Sequence, residues 1–282
     1  MNVAPAGPRR LIFVLVYVSV FSLLLPSEVR AQDNAPPDPV PGGVIDPSTS
    51  LARPATPARP IRDVSPTLLP SNFLRDQQYL LLFPRELAEG RYWAPSITVA
   101  AATVGLLSAD PHVQPYFAHT TAFRGFDRVF SSRITGLETI AVPAAFYAIG
   151  FQRHDSYMQK TALFSVEAIA DTEVVRAAMN SLTKRWRPQD VFNRRSYSDT
   201  FFHSVSHVGS SFPSGHTIVA VAVATVIARR YRTHRWVPWA AYGFAGAIGL
   251  SRITLRAHFP SDVVLGTVLG YAIARYEVLQ NQ

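Results

Sequence analysis

From Asn72 onward the chain runs as apolar stretches of helical length separated by polar, Pro- or Gly-containing turns. This patterning constrains the fold more than any other feature, because each apolar helix face must be buried against others of its kind. It predicts helices near residues 72–89, 94–108, 123–132, 136–150, 157–185, 214–232, 237–251 and 261–279. No alternating strand pattern of comparable length competes, so the expected fold class is an all-α helical bundle. A chain of 282 residues has room for one domain with a substantial core, plus appendages.

The appendages are expected at the N-terminus. Arg9 and Arg10 precede an apolar run from Leu11 to Leu25, and Val29-Arg30-Ala31 offers a small-residue cleavage site. Residues 1–31 read as a secretory signal peptide, with an uncleaved anchor as the alternative. Residues 32–70 hold ten prolines and no sustained apolar period, the composition of a disordered linker. The helical domain is then expected over residues 71–282. The chain has no cysteine, which excludes disulfides, thiolate chemistry and a lipid-modified N-terminal Cys. Its formal charge of +8 becomes +6 once Arg9, Arg10, Arg30 and Glu28 are removed. That balance suits an anionic small molecule or lipid, and no nucleic-acid motif accompanies it.

Three polar segments sit at predicted helix ends. In the last, Arg252 stands before His258 and Asp262 after it, within one loop between apolar stretches. A guanidinium, an imidazole and a carboxylate so spaced suit a histidine that attacks phosphorus, and equally an ordinary solvated turn. In the second, Pro213-Ser214-Gly215-His216 opens the apolar run from Ile218. Pro213 suits a first helical turn. Ser214 and Gly215 present N–H groups at the positive helix end, and His216 is placed to protonate a leaving group. A plain capped helix start has the same composition. The first segment, Asn180 to Pro188, ends a long predicted helix with Lys184, Arg185 and Arg187, as dipole complementation also favours.

Taken in order, the segments resemble the motifs of the type-2 phosphatidic acid phosphatase and vanadium haloperoxidase superfamily. That pattern is Lys-x6-Arg-Pro, Pro-Ser-Gly-His and Ser-Arg-x5-His-x3-Asp. The second and third match in full; in the first, Asn180 stands where the lysine belongs. The resemblance implies a helical, metal-independent phosphatase acting through a phosphohistidine, with no cofactor, although vanadate can mimic the phosphoryl group. It makes His258 the nucleophile, Asp262 its orienting acid and His216 the proton donor. Arg187, Ser214, Gly215 and Arg252 become the phosphate cradle, completed by Asn180 or by Lys184 one turn further on. A vanadium-dependent haloperoxidase and a non-catalytic phosphate- or lipid-binding protein are the alternatives. The substrate is expected to be a phosphomonoester or a lipid or polyprenyl (di)phosphate.

The superfamily includes integral membrane enzymes, but the apolar runs at 237–251 and 263–274 are short for a span. The helix expected at 157–185 carries Lys160, Glu167, Asp171, Glu173 and Arg176, which hydrocarbon would accept only at high cost. An exported, periplasmic bundle, soluble or resting on a membrane, is the expectation, with an integral inner-membrane protein as the alternative. His203 and His207, at i and i+4, have no carboxylate in their pattern and are expected to be surface or loop residues rather than a metal pair.

Overall fold

Proline and capping side chains set several of the helix starts in the computed structural model, which describes residues 62–130, 132–191, 196–203 and 210–279 (132–138 by backbone alone). All of these lie in the unit Arg59–Gln282. The expected signal peptide and residues 32–61 of the expected linker lie outside the described residues.

The helices are α1 (Leu69–Ala88), α2 (Trp93–His119), α3 (Arg124–Val129), α4 (Ser132–Gln152), α5 (Ser156–Thr183), α6 (Pro188–Val191), α7 (Gly215–Arg230), α8 (Trp236–Thr254) and α9 (Pro260–Ala272). A π-helical turn, Ile273–Val278, continues α9. Among the described residues there is no strand, so the all-α expectation holds. Asp155 caps α5, its carboxylate accepting from the Tyr157 and Met158 N–H groups at 2.9 and 3.0 Å. Pro260 opens α9 at a position where its missing N–H costs nothing.

Helix α7 is the axis of the bundle, packed by α8, α9, α5 and α4. Its sequence, Thr217 to Val226, is a run of small and β-branched residues, and every one of them is buried. A fully buried valine contributes about 1.5–3 kcal/mol, so this strip supplies a large share of the core. Helix α9 crosses α7 at very short range. A Cβ on Gly270 would lie 2.3 Å from the Ile218 carbonyl oxygen, so no side chain fits at 270 without moving the helices apart.

Several boundaries differ from expectation: α4 starts four residues early, the short α6 is additional, and α9 gives way to the π-helical turn after Ala272; two differences are larger. Helix α2 continues eleven residues past Ser108, through Pro111 and Pro115. Prolines disfavour a helix interior by about 3 kcal/mol, but Asp110 is fully buried and clamped by distant side chains, so tertiary contacts hold the helix on. The packed structure also reaches back to Arg62, ahead of the expected start at residue 71. Arg62 donates to both Asp76 oxygens at 2.8 and 2.6 Å and pairs with Glu167 at 2.9 Å, while Val64 joins the core. Asn72 and Gln77 on α1 donate to Glu167 and Asp171 on α5. Glu167 and Asp171 of α5 thus face inward within the bundle, while Lys160, Glu173 and Arg176 stay partly open to solvent. Burial raises Glu167 to about 7 despite Arg62 nearby, and burial with the charge of Asp76 raises Asp171 to about 8.

Candidate active site

The three polar segments meet through the backbone. Ser211 N–H donates to the Arg185 carbonyl at 2.9 Å, Ser214 N–H to the Asp262 carbonyl at 3.0 Å, and Gln189 N–H to the Arg256 carbonyl at 3.1 Å. The Ser211 hydroxyl bonds the Trp186 carbonyl at 2.9 Å and Thr183 Oγ1 the Phe212 carbonyl at 3.2 Å. The ends of α5 and α8 and the starts of α7 and α9 are therefore one tied cluster.

His258 is buried, with Nδ1 2.8 Å from the Ser211 carbonyl oxygen. A carbonyl only accepts, so Nδ1 carries the proton and the lone pair of the neutral ring is on Nε2. The carboxylate of Asp262 lies 3.7 Å from Nδ1, beyond hydrogen-bond distance, and acts on the ring through its charge. Its own bonds lie elsewhere. Oδ2 accepts from Phe259 N–H at 2.8 Å, closing the start of α9, and Oδ1 accepts from Arg185 Nη1 at 2.5 Å.

Arg185 is the residue that pattern reading missed. It is 1 % exposed and bridges Asp262 to Asp110, which it meets at 2.7 Å, with further bonds to Ser261 (2.8 Å) and Thr200 (3.1 Å). Its guanidinium also lies 4.1 Å from the Phe259 ring centroid. Asp110 accepts in addition from Ser261 N–H and Oγ; burial raises its pKa while the Arg185 charge opposes the rise. In sequence, Arg185 is one basic residue in a run of them, and nothing connects it to Asp110, 75 positions earlier.

Ser214 is the N-cap of α7 and is fully buried; its Oγ accepts from Thr217 Oγ1 at 2.9 Å and retains its own proton to donate. Pro213, joined to Phe212 by a cis peptide, lies outside the helix rather than in its first turn. Gly215 is the first helical residue and His216, half-buried, the second. A Cβ on Gly215 would lie 2.7 Å from Cδ of Arg176. Asn180 is buried; with its amide assigned the orientation that satisfies both neighbours, Nδ2 donates to the Phe212 carbonyl at 2.6 Å and Oδ1 accepts from Arg176 Nη1 at 2.9 Å. Lys184, the other residue expected to complete the cradle, is exposed. It is the C-cap of α5 with φ of 43°, so the same-face relation to Asn180 that regular helix geometry implied does not apply.

Arg252 is fully buried. Its Nη2 donates to the Phe130 carbonyl at 2.5 Å and to Ser251 Oγ at 2.8 Å. Burial pushes it down to about 10, with Asp127 pulling the other way. A cation held by neutral oxygens in a dry setting is well placed to stabilise an anion. Arg187 is half-buried at the start of α6, its N–H donating to Asp190 Oδ2 at 3.3 Å. His203 stacks on Trp186 (4.4 Å between centroids) and bonds Asp199 at 2.9 Å, a carboxylate absent from the expected pattern; His207 lies outside the described residues. No group of three or more His, Asp or Glu side chains among the described residues is arranged to hold a metal.

The family model of the PAP2 superfamily matches residues 161–282. The chain is 28% identical over 114 residues to the bacitracin transport permease protein BcrC of Bacillus licheniformis, covering 40% of this chain and 52% of that protein. It is 38% identical over 65 residues to the lipid A 1-phosphatase of Porphyromonas gingivalis, covering 23% and 15%. With glucose-6-phosphatase 3 of Mus musculus it shares 36% over 83 residues, covering 26% and 24%. The matches therefore span about half the length of the first of these relatives and less of the other two. Among solved structures, a transmembrane PAP2 type phosphatidylglycerolphosphate phosphatase from Bacillus subtilis is similar at a TM-score of 0.39 and 19% identity, over 72% of this chain and 93% of that one.

Proposed function

Residues 161–282 are a PAP2-superfamily segment, and on that footing we propose that the chain is a metal-independent phosphatase working through a phosphohistidine. The observation that carries the reading is the ring of His258, whose Nδ1–H is committed to the Ser211 carbonyl. Nε2 is then the nucleophile: it bonds to phosphorus as the ester P–O bond breaks, while His216 donates a proton to the departing oxygen. In the second step His216 takes a proton from water, whose oxygen bonds to phosphorus as the N–P bond breaks, releasing inorganic phosphate. The positive charge that develops on His258 faces the Asp262 carboxylate 3.7 Å away. Arg252, Arg187, the Ser214 hydroxyl and the Gly215 N–H serve the equatorial oxygens.

The substrate class we favour is a lipid phosphate. An apolar cleft of about 470 Å³ lies between α4, α7 and α8, lined by Val142, Phe146, Ala224, Ile227, Ala241 and Phe244. Ile248, also in its lining, is one turn before Arg252. Such a cleft suits a hydrocarbon chain whose phosphate reaches the cradle. No single described helix is long and apolar enough to cross a membrane, though α1 and α2, bent at 98°, qualify as a pair. Leu81, Val104, Phe151, Trp236 and Trp239 all point outward. The two tryptophans neighbour Arg232 and Arg235, a combination suited to a membrane interface. We therefore place the domain at a membrane, and an exported location follows if residues 1–31 act as a signal peptide.

The test is phosphate release by the purified full chain from lipid and soluble phosphates, with and without detergent. His258→Ala should abolish release while the chain still folds, and chelators should have no effect. Full activity in that variant would end the mechanism. Peroxide-dependent bromination after vanadate addition would replace it with the haloperoxidase reading.

A further inference from the structure

We propose that Arg176, one turn before Asn180 on α5, provides the positive charge that the cradle lacks at position 180. The inference rests on the phosphatase reading and concerns the same site. Arg176 is i−4 from Asn180 and so shares its helix face. Its side chain lies against the first residue of α7, so closely that a Cβ on Gly215 would meet Cδ at 2.7 Å and Nε at 3.4 Å. Glycine at 215 thus admits a guanidinium to the helix end where the oxyanion is bound.

The guanidinium is held at two points. Nε and Nη2 donate to Glu173 Oε2 at 2.9 and 2.6 Å, and Nη1 donates to Asn180 Oδ1 at 2.9 Å. Three of its five N–H groups are used, leaving one each on Nη1 and Nη2 for a ligand oxygen. The side chain is 30 % exposed, so an entering anion can reach it. Glu173 is more exposed, at 42 %, and a pair so open to water neutralises the arginine only weakly. Asn180 ties Arg176 to the Phe212 carbonyl, next to Pro213 and Ser214. A lysine at 180 would deliver charge directly; an amide at 180 with an arginine at 176 delivers it from one turn away. The planar fork of arginine also suits paired phosphate oxygens.

The experiment uses the full chain, p-nitrophenyl phosphate turnover and calorimetric binding of orthovanadate. Arg176→Ala should lower kcat/KM by on the order of 10- to 100-fold and weaken vanadate binding by about 10-fold, the loss of a charge-assisted contact. Adding Asn180→Lys to that variant should recover kcat/KM to within about five-fold of wild type, because the charge returns from the neighbouring position. Arg176→Gln, which keeps a polar side chain but no charge, should behave like the alanine variant and covers the case in which alanine perturbs folding. Kinetics and vanadate affinity within about two-fold of wild type in both variants overturn the inference. A loss that Asn180→Lys does not recover, at unchanged melting temperature, also overturns it by making the role structural. If His258→Ala is inactive in those same assays, the phosphatase reading survives that outcome. If the wild-type chain turns over neither p-nitrophenyl phosphate nor a lipid phosphate, the reading fails instead, and vanadate affinity alone decides the role of Arg176.

Discussion

Replacing Arg185 by Met tests whether the buried ionic bridge holds the site together. Arg185 is 1 % exposed, and its partners Asp110 and Asp262 are both fully buried. Methionine fills much of the volume but leaves both carboxylates without their cation. Breaking a buried pair from one side costs about 3–5 kcal/mol, chiefly through the charge left behind. For a unit of this size that corresponds to a fall of roughly 6–20 °C in melting temperature. The cost depends on pH, and the sign follows from Asp110. Its pKa is already raised by burial, with Arg185 opposing the rise, so removing Arg185 raises it further. A carboxyl whose folded pKa lies above its unfolded value takes up a proton more readily in the folded state, and the stability this gives is present at low pH and lost as pH rises through the folded pKa. The gap between wild type and Arg185→Met should therefore be smaller at pH 5 than at pH 8. Thermal melts at the two pH values, with Asp110→Asn and the double variant completing a cycle, measure both effects. The cycle should show a coupling of about 1–3 kcal/mol. A variant melting within about 3 °C of wild type at pH 8, where roughly 6 °C is the minimum expected, would refute the reasoning.

Three further outcomes are expected. Glu167, pushed up to about 7 by burial, and Asp171, pushed up to about 8, are protonated in the folded protein at mildly acidic pH, so stability should decline as pH rises from 5 to 9. Glu167→Gln should remove on the order of 3 kcal/mol of that decline, read from melts across the range; an unchanged slope would count against the assignment. Gly270→Ala forces a methyl to 2.3 Å from the Ile218 carbonyl and should cost about 1–3 kcal/mol as α7 and α9 separate, with a parallel fall in phosphate release. Ala241→Phe, in the lining of the apolar cleft, should lower kcat/KM for a long-chain lipid phosphate about 10-fold relative to p-nitrophenyl phosphate; equal effects on both would detach the cleft from substrate binding.

Where sequence and structure agree, the cause is local. Helices α5, α7 and α8 begin and end within a few residues of expectation and α9 begins there; Asp155 caps α5 and Pro260 opens α9 by short-range chemistry. The differences are cases of tertiary contact overriding local preference. Two prolines argue for ending α2 at Ser108, yet Asp110 is needed 2.7 Å from Arg185, and the helix continues to supply it. The prolines between residues 32 and 70 argue for a linker throughout, yet Arg62 finds Asp76 and Glu167, 14 and 105 positions away. Neither pairing leaves a trace in composition or period.

The same distinction divides the site. Motif spacing singles out His258, Arg252, Ser214 and Gly215, and backbone bonds bring the segments that carry them together. The spacing does not reveal what fixes them. Asp262, four residues after His258, invites a direct hydrogen bond to the ring, but its oxygens serve Arg185 and the Phe259 N–H while the ring bonds to Ser211. One carboxylate thus starts α9, anchors a buried arginine and sets the field around a histidine. Asp262→Asn separates these duties. The amide oxygen can still accept from one donor, so the loss of charge should destabilise the arginine bridge and remove the electrostatic support of a charged His258 together. If melting temperature falls and phosphate release does not, the charge of Asp262 serves the fold alone, and the orientation of His258 rests wholly on the Ser211 carbonyl.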